Sequence, residues 1–252
     1  MSLSVSAWHR RYQQQAGWTF TIRQSLFARA GLENARRVLD VGCGTGVLSA
    51  EVAGKAQAVY GLDLALEPLQ FARHAAPGPA YTRGDAHWLP YRNDCFDIVF
   101  CHFLLLWVAD PVRAAAEMKR VTRPGGSVLL LAEPDYGGRI DYPSELARLG
   151  SLQAEALARQ GASINTGRRL GEILGRAGLQ PLETGLLGGQ WTSPPSPEDW
   201  ENEWTVLRAD LQGMVTSAEL DRLQEIDRQA WQAGSRVLFV PTFYAWGRKP
   251  AN

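Results

Sequence analysis

The sequence predicts an α/β fold in which a doubly wound, mostly parallel sheet carries helices on both faces. Between residues 36 and 131, short apolar runs alternate with amphipathic stretches, which is typical of strands alternating with helices. The first apolar run is bounded by glycines, and glycine allows a strand to turn sharply into a helix. Because parallel strands are joined by right-handed crossovers, this alternation predicts helices on both faces of the sheet.

The elements of this first half follow from local patterns. Each predicted strand is a short apolar run, as expected for strands buried on both faces. The predicted strands are residues 38–41, 58–62, 96–101 and 127–132. The predicted helices are residues 47–53, 65–76 and 111–121. Pro77-Gly78-Pro79 ends the second of these helices, because proline cannot continue a helix.

After residue 131 the alternation ends and longer helical patterns follow. The predicted helices are residues 144–161, 168–177, 197–212 and 217–233, and the predicted strands are residues 179–191 and 237–246. A proline-rich break at residues 192–197 separates the first of these strands from the last two helices. We therefore expect a helical insertion before the last strand, over about residues 194–234, that covers an active site as a lid.

Length and composition indicate a single globular domain without a strong charge. The chain has 252 residues, 45% of them hydrophobic, and 26 basic residues balance 26 acidic ones. A net charge of zero disfavours a nucleic-acid binder. Met1–Arg11 lacks the apolar core of a signal peptide, and no apolar run reaches membrane-spanning length, so we expect a cytoplasmic protein that does not bind membranes. Cys43, Cys95 and Cys101 lack metal-ligand spacing, so no metal is expected.

The most specific motif is the strand and glycine-rich turn from Val38 to Gly46. Glycines in such a turn let a ligand approach the backbone. A nicotinamide-dependent oxidoreductase is disfavoured, because Val47 stands where the dinucleotide pattern requires a third glycine. Asp40 would also lie close to the negative pyrophosphate of a dinucleotide. An acidic residue at this position suits a cationic or amine-bearing ligand better.

Two further acidic residues follow predicted strands of the same sheet. Asp63 ends the second strand, where a carboxylate can accept hydrogen bonds from both hydroxyls of a ribose. It can cap the following helix at the same time, so the two roles are compatible. Asp85, in Gly84-Asp85-Ala86, lies at the end of a further predicted strand, the third in chain order, which precedes the strand at residues 96–101. Its carboxylate can accept a hydrogen bond from the exocyclic amine of an adenine. A simple turn aspartate explains this residue equally well.

Together these residues resemble the Rossmann-like S-adenosylmethionine-dependent methyltransferases, in the branch of ubiquinone/menaquinone and small-molecule methyltransferases. The matching stretches are residues 38–46, 61–64, 84–90, 96–99, 109–111 and 123–126. The resemblance implies a seven-stranded sheet whose last strand is antiparallel. It also implies that S-adenosylmethionine binds through a shared set of positions. These are Asp40, Gly42, Cys43 and Gly44 at the methionine end, Asp63 and Leu64 at the ribose, Asp85 and Ala86 at the adenine, and His102 and Phe103 after the fourth strand.

The resemblance divides the single domain into three parts. Residues 1–35 form an N-terminal helical cap, residues 36–135 the cofactor-binding core, and residues 136–252 the acceptor-side half with the lid. In the cap, Arg23 is a candidate partner for the cofactor's carboxylate and Trp18 a candidate cation–π partner for its sulfonium. The alternative is an amphipathic helix with a core tryptophan and a solvated arginine.

The resemblance predicts methyl transfer to a small molecule, at oxygen, carbon or nitrogen. His102 is the leading candidate for a general base, because it follows the fourth strand at the edge where ligands bind. The alternative is a packed or capping histidine, and Glu133, Asp135 and Tyr136 are weaker candidates. Five tryptophans in the last third suggest an aromatic acceptor pocket or a helical core, namely Trp191, Trp200, Trp204, Trp231 and Trp246. The rival function is a non-catalytic S-adenosylmethionine-binding protein with an interaction or regulatory role.

Overall fold

The structure is a computed structural model that describes residues 3–187 and 194–251. Within these residues, the strands are β1 (Arg37–Val41), β2 (Ala58–Asp63), β3 (Ala80–Arg83), β4 (Phe96–His102), β5 (Thr122–Pro134), β6 (Ile140–Tyr142), β7 (Gln180–Leu187), β8 (Val237–Phe239) and β9 (Thr242–Arg248). Seven of them form one sheet in the order β3-β2-β1-β4-β5-β9-β7, while β6 and β8 form a separate two-stranded ribbon.

The helices of the same residues agree closely with the predicted helical patterns. They are α1 (Val5–Arg29), α2 (Val47–Val52), α3 (Leu66–Ala75), α4 (Pro111–Val121), α5 (Ala147–Arg159), α6 (Leu170–Arg176), α7 (Pro197–Asp210) and α8 (Ser217–Gln232). Side chains cap several of them, as expected for helix starts. Asp110 accepts a hydrogen bond from the Arg113 N–H at the start of α4, and Ser196 accepts one from the Asp199 N–H at the start of α7.

The direction of the strands confirms the predicted sheet. β1 pairs in parallel with β2 and β4, and the parallel arrangement extends to β3 and β5. β9 is antiparallel to both of its neighbours, β5 and β7. The helical insertion before this last strand is also confirmed, because α7 and α8 lie between β7 and β9 in the chain.

The strand predicted over residues 237–246 is wrong as a single element. The chain forms two strands there, and β8 leaves the main sheet to pair with β6. Pro241 lies between them and has no N–H to donate, so it cannot sit inside a continuous ladder. The end of the strand predicted over 179–191, including Trp191, lies outside the described residues.

Of the four apolar clusters among the described residues, three reflect the layers of the fold, and the fourth is a small cluster of Leu106, Leu157 and Ala162. One apolar cluster lies on the α4 and α6 side of the sheet and includes Met118 and Leu174. A second lies on the α1 and α2 side and includes Phe27. A third joins α5 to α7 and α8 around Trp204 and Leu223. The inserted helices therefore have an apolar core of their own.

No helix of the described residues is long and apolar enough to span a membrane.

Candidate functional site

The turn after β1 has a backbone conformation that favours glycine. Gly42, Gly44 and Gly46 have φ angles of +75°, +52° and +79°, in the left-handed region that residues with a Cβ rarely adopt. The N–H groups of Gly42 and Cys43 both donate to the Leu62 carbonyl, at 2.7 and 3.0 Å. The end of β2 thus holds the turn in place.

Helix α1 covers this turn. A Cβ at Gly44 would lie 2.9 Å from Cε2 of Tyr12, which is closer than side chains tolerate. Burial raises the pKa of Tyr12 to about 12, with a further contribution from the charge of Asp63, so the phenol stays neutral. His9 adds a second contact, because its Nδ1 lies 2.9 Å from Oγ1 of Thr45. The N-terminal helix is therefore part of the site.

Two carboxylates flank the turn in different environments. Asp63 accepts the N–H of Gly44 at 2.8 Å and that of Ala65 at 2.9 Å, one with each carboxylate oxygen. Asp40 is only 2% exposed and accepts the Ser49 hydroxyl at 2.7 Å. Burial raises the pKa of Asp40 to about 7, although the Ser49 hydrogen bond opposes this rise. A positively charged ligand group beside Asp40 would favour its ionised form.

The turn and these carboxylates line a cavity of about 420 Å³, which we call the turn cavity. Its described lining includes seven of the predicted site residues. These are Asp40, Gly42, Cys43, Gly44, Asp63, His102 and Phe103. The structure therefore brings together residues from the ends of β1, β2 and β4 at one edge of the sheet, where ligands bind in doubly wound folds.

A second cavity of about 480 Å³, which we call the tryptophan cavity, lies beneath the inserted helices. Trp18 of α1 and three tryptophans of the insertion, Trp200, Trp204 and Trp231, contribute to its wall. Trp246 lies elsewhere, in the core cluster on the α1 side of the sheet. The residues that line both cavities are Arg11, Gln15, Phe103, Tyr136 and Gln153. The two cavities therefore adjoin.

His102 lies at the end of β4, in the wall of the turn cavity. Its Nε2 lies 3.0 Å from Oγ1 of Thr19. Burial and the nearby charge of Arg23 lower the pKa of His102 to about 3, so the imidazole is neutral at ordinary pH. An imidazole of such low basicity accepts a proton poorly, which weighs against a role as general base.

A buried carboxylate holds the loop that follows His102. Both Oε1 and Oε2 of Glu133 accept backbone N–H groups, from Leu104, Leu105 and Leu106, at 2.8 to 3.1 Å. Phe103 at the start of this loop has a φ of +52°, a conformation that a bulky residue adopts only when its surroundings impose it. Glu133 therefore supports the part of the wall that both cavities share.

Other predicted residues occupy different surroundings. Arg23 is buried in an ion pair with Glu51 of α2 and donates to the Ala16 carbonyl at 2.8 Å. Trp18 lines only the tryptophan cavity, with the Arg11 guanidinium 4.7 Å from its ring centroid. The solvated arginine and the core tryptophan expected as alternatives are thus wrong, since Arg23 is buried and Trp18 is 53% exposed.

Three other residues predicted to bind the cofactor, Leu64, Asp85 and Ala86, are absent from the described lining of the turn cavity. Leu64 is 63% exposed and Ala86 is buried. Asp85 accepts hydrogen bonds from the backbone N–H of His87 and lies 2.7 Å from Nδ1 of the same residue. These contacts fit the turn role of Asp85, whose side chain is 39% exposed.

Sequence reasoning missed Arg11, Tyr12 and Gln15 as wall residues. A signal existed, because Arg11, Gln15 and Trp18 are spaced at i, i+4 and i+7 and therefore share one face of a helix.

Asp135 and Tyr136 were predicted as weaker bases. Asp135 is in an ion pair with Arg168, whereas Tyr136 lies in the wall shared by the two cavities. Among the described residues, no cluster of metal-ligating side chains is present.

Comparisons with known proteins agree with this architecture. Residues 39–130 match the family model described as a methyltransferase domain. A malonyl-acyl-carrier-protein O-methyltransferase of Erwinia pyrifoliae is 37% identical over 120 residues, which are 48% of this chain and 46% of that protein. A demethylmenaquinone methyltransferase of Renibacterium salmoninarum is 36% identical over 123 residues, 48% of this chain and 52% of that protein. The chain thus spans about half the length of the curated relatives it matches.

The fold is similar beyond the matched segment. The structure of a geranyl diphosphate methyltransferase in complex with S-adenosylmethionine has a TM-score of 0.57 at 18% identity, over 90% of this chain and 83% of that chain. The predicted resemblance is confirmed as a similarity: residues 39–130 match a methyltransferase domain, and the chain shares the Rossmann-like fold of a solved methyltransferase structure.

Proposed function

We propose that the protein transfers a methyl group from S-adenosylmethionine, bound in the turn cavity, to a small molecule bound in the tryptophan cavity. The observation that carries this proposal is that the two cavities adjoin, with five of the described residues lining both. A group-transfer enzyme needs donor and acceptor side by side and shielded from water. The methyltransferase domain match supports the choice of donor.

The turn cavity fits the proposed cofactor in its charges and its backbone. Each carboxylate oxygen of Asp63 accepts one backbone N–H and keeps a lone pair for a ribose hydroxyl. We propose that Asp40, in the cavity wall, pairs with the ammonium group of the methionine moiety, and that the backbone of Gly42 and Gly44 permits close approach of the cofactor. We further propose that Leu64 and the Asp85-Ala86 pair contact the adenine from the exposed side.

When bound, S-adenosylmethionine supplies a methyl group that a positively charged sulfur already activates. The protein's task is therefore to align the acceptor and exclude water. Phe103 and Tyr136 contribute to the wall between the cavities and are the residues proposed to align the two ligands. We propose that His102 positions the cofactor through a hydrogen bond, since its lowered pKa makes it a weak base.

The N-terminal helix has two parts in this proposal. Trp18 contributes to the acceptor cavity, so its proposed contact is with the acceptor. Arg23 joins α1 to α2 through Glu51 and thereby holds the cap on the glycine turn. The proposed place of action is the cytoplasm, to which the free Cys43, Cys95 and Cys101 are suited.

The test is transfer of label from methyl-labelled S-adenosylmethionine to any compound of a metabolite extract. We expect a labelled small-molecule product with the wild-type protein and none with Asp63→Ala. The rival function, a cofactor-binding protein without catalysis, makes a different prediction. In that case S-adenosylhomocysteine binds the protein, but no label leaves the donor in any extract.

A further inference from the structure

The wall of the tryptophan cavity contains three arginines, and ion pairs occupy all of them. They are Arg11, Arg139 and Arg236. A cavity built for an anionic ligand usually presents a cation with donors left free to bind it. Because each arginine already has a partner, the ion pairs affect which charge an acceptor in this cavity can carry.

Arg139 and Arg236 belong to one cluster of buried charged side chains. Nε of Arg139 lies 2.6 Å from Oδ2 of Asp141, while Nη2 of Arg236 lies 2.8 Å from Oδ1 of the same aspartate. Nε of Arg236 also donates to Oδ1 of Asp227 at 2.6 Å. All four side chains are at most 7% exposed. Two positive and two negative charges thus balance within the cluster.

The third arginine lies where the two cavities adjoin. Arg11 forms an ion pair with Glu203 of α7 and donates to Oε1 of Gln14 at 2.8 Å. Its guanidinium also lies over the ring of Trp18. The remaining acidic lining residue, Asp199, is exposed and accepts the Ser196 hydroxyl at 2.7 Å. Each buried charge that lines the cavity among the described residues is therefore matched by a charge of opposite sign.

The tryptophans present rings rather than polar groups. Nε1 of Trp200 and Nε1 of Trp204 both donate to Oδ2 of Asp227, at 2.6 and 3.0 Å. Their ring centroids are 6.2 Å apart, with an interplanar angle of 54°. Because Asp227 takes both N–H groups, neither indole has an N–H left for a ligand. Trp204 is only 1% exposed, so the half-buried Trp200 is the one of the two that presents ring surface to the cavity. Flat rings stack on or pack edge-to-face against such surfaces.

From this balance we infer that the cavity selects an uncharged, flat aromatic acceptor, an inference that rests on the proposed function. An ionised acceptor would leave water without gaining an unpaired counter-charge, which is unfavourable in a buried site. An anion beside Arg11 would have to share a positive charge that Glu203 already neutralises. A cation could use the indole faces, as aromatic cages do, but the carboxylates of Glu203 and Asp227 in the wall are already paired with arginines.

The experiment compares three probes that share one ring system and differ in charge. They are 2-naphthol, 2-naphthoate and 2-naphthylmethylammonium, titrated calorimetrically near neutral pH with S-adenosylhomocysteine present. We expect 2-naphthol to bind tighter than either ion by about tenfold, or about 1.4 kcal/mol. Tighter binding of the anion or the cation overturns the inference, and so does the absence of binding by all three probes.

A charge-changing variant locates this preference in the cavity. Glu203→Gln removes the partner of Arg11, so we expect 2-naphthoate to gain affinity by about tenfold relative to 2-naphthol. Glu201→Gln is the matched control, since Glu201 lies exposed on the same helix. If Glu203→Gln and Glu201→Gln changed the affinity for 2-naphthoate relative to 2-naphthol equally, the assignment of the charge preference to this cavity would be contradicted. If Glu203→Gln unfolds, the wild-type ranking of the probes still decides.

These measurements separate the inference from the proposed function. They record binding without methyl transfer, whereas the proposed function fails only when no label leaves S-adenosylmethionine. A protein that methylates a charged compound would keep the proposed function and overturn the acceptor class.

Discussion

The two cavities meet at one wall but are built in different ways. In the turn cavity, the glycine turn and the two carboxylates come from the short segment from Asp40 to Asp63, while α1 and more distant residues complete the wall. The tryptophan cavity depends on side chains from α1, α5, α7, α8 and the ribbon strand β8, which are far apart in the chain. A backbone-built site keeps its shape when surrounding side chains change. A side-chain-built site changes with each substitution, so an acceptor can change while the donor stays the same.

The strongest test of this difference is Asp63→Ala, which should affect the turn cavity alone. Loss of two charge-assisted hydrogen bonds costs on the order of 1.5–3 kcal/mol each, so affinity for S-adenosylhomocysteine should fall by about a hundredfold or more. Calorimetric titration measures it, and the ratio of the affinities for the naphthalene probes should stay as in wild type. Glu67→Ala, an exposed carboxylate just after the same strand, is the control. Affinity within about twofold of wild type would refute the ribose assignment.

A second test adds one methyl group to the turn. Gly44→Ala carries the cost of a Cβ at positive φ, about 1–2 kcal/mol, and meets the ring of Tyr12 as well. Gly54→Ala is a matched control, because Gly54 has a φ of +83° and an added Cβ there would have no other atom within 4 Å. We expect the melting temperature to fall further for Gly44→Ala than for Gly54→Ala. Only Gly44→Ala should lose cofactor affinity. Tyr12→Leu should restore part of the loss, and a failure to do so would contradict the contact.

The third test uses pH. Asp40 has its pKa raised to about 7, chiefly by burial, so it is largely protonated below that pH in the free protein. The ionised form pairs with the ligand's ammonium group, so affinity for S-adenosylhomocysteine should rise about tenfold from about pH 5.5 to about pH 7. In Asp40→Asn, the affinity for S-adenosylhomocysteine should not change with pH over this range. An unchanged pH dependence in Asp40→Asn would show that another group controls binding.

The same raised pKa has a consequence for stability. A buried carboxyl whose folded pKa exceeds its unfolded value binds protons more tightly when folded. Its contribution therefore favours the folded state at low pH and is lost as the pH rises from its unfolded pKa towards about 7. Bound cofactor should offset this loss, because it stabilises the ionised form.

The smallest expected effect is in the tryptophan cavity. Trp200→Phe keeps an aromatic ring but removes the N–H donated to Asp227, so unfolding free energy should fall by about 1 kcal/mol. Affinity for 2-naphthol should fall by about threefold, with cofactor affinity unchanged. Trp88→Phe serves as the control, since Trp88 is 67% exposed and lies outside the described linings of both cavities. A change in cofactor affinity would mean that the two cavities are not independent.

The parts that could be predicted from sequence are those that local pattern determines. The run from Val38 to Val41 is buried on both faces and ends in glycines, so its strand and its turn follow from nearby residues. Helix α4 agrees with its predicted bounds because Asp110 and Pro111 mark its start. Asp40 and Asp63 could be placed at strand ends for the same reason.

The other parts of the fold and of the site depend on contacts between residues far apart in the chain. A local sequence pattern cannot predict such contacts. Arg11 and Glu203 are 192 positions apart, and only the closing of the fold brings them together. Arg23 looked available for a ligand, but its partner Glu51 lies on another helix. The ribbon of β6 and β8 joins an unpredicted three-residue strand to the start of the segment predicted as one strand over 237–246.

Helix α1 runs unbroken through 25 residues and contributes Tyr12 to the turn cavity and Trp18 to the tryptophan cavity. The six-residue separation between them corresponds to roughly 9 Å along the axis, and each residue turns the helix by about 100°. One inserted residue between them would rotate Trp18 away from its wall while Tyr12 stayed on the turn. The helix therefore sets the spacing between the two cavities, and this segment has less freedom to change in length than the loops around it.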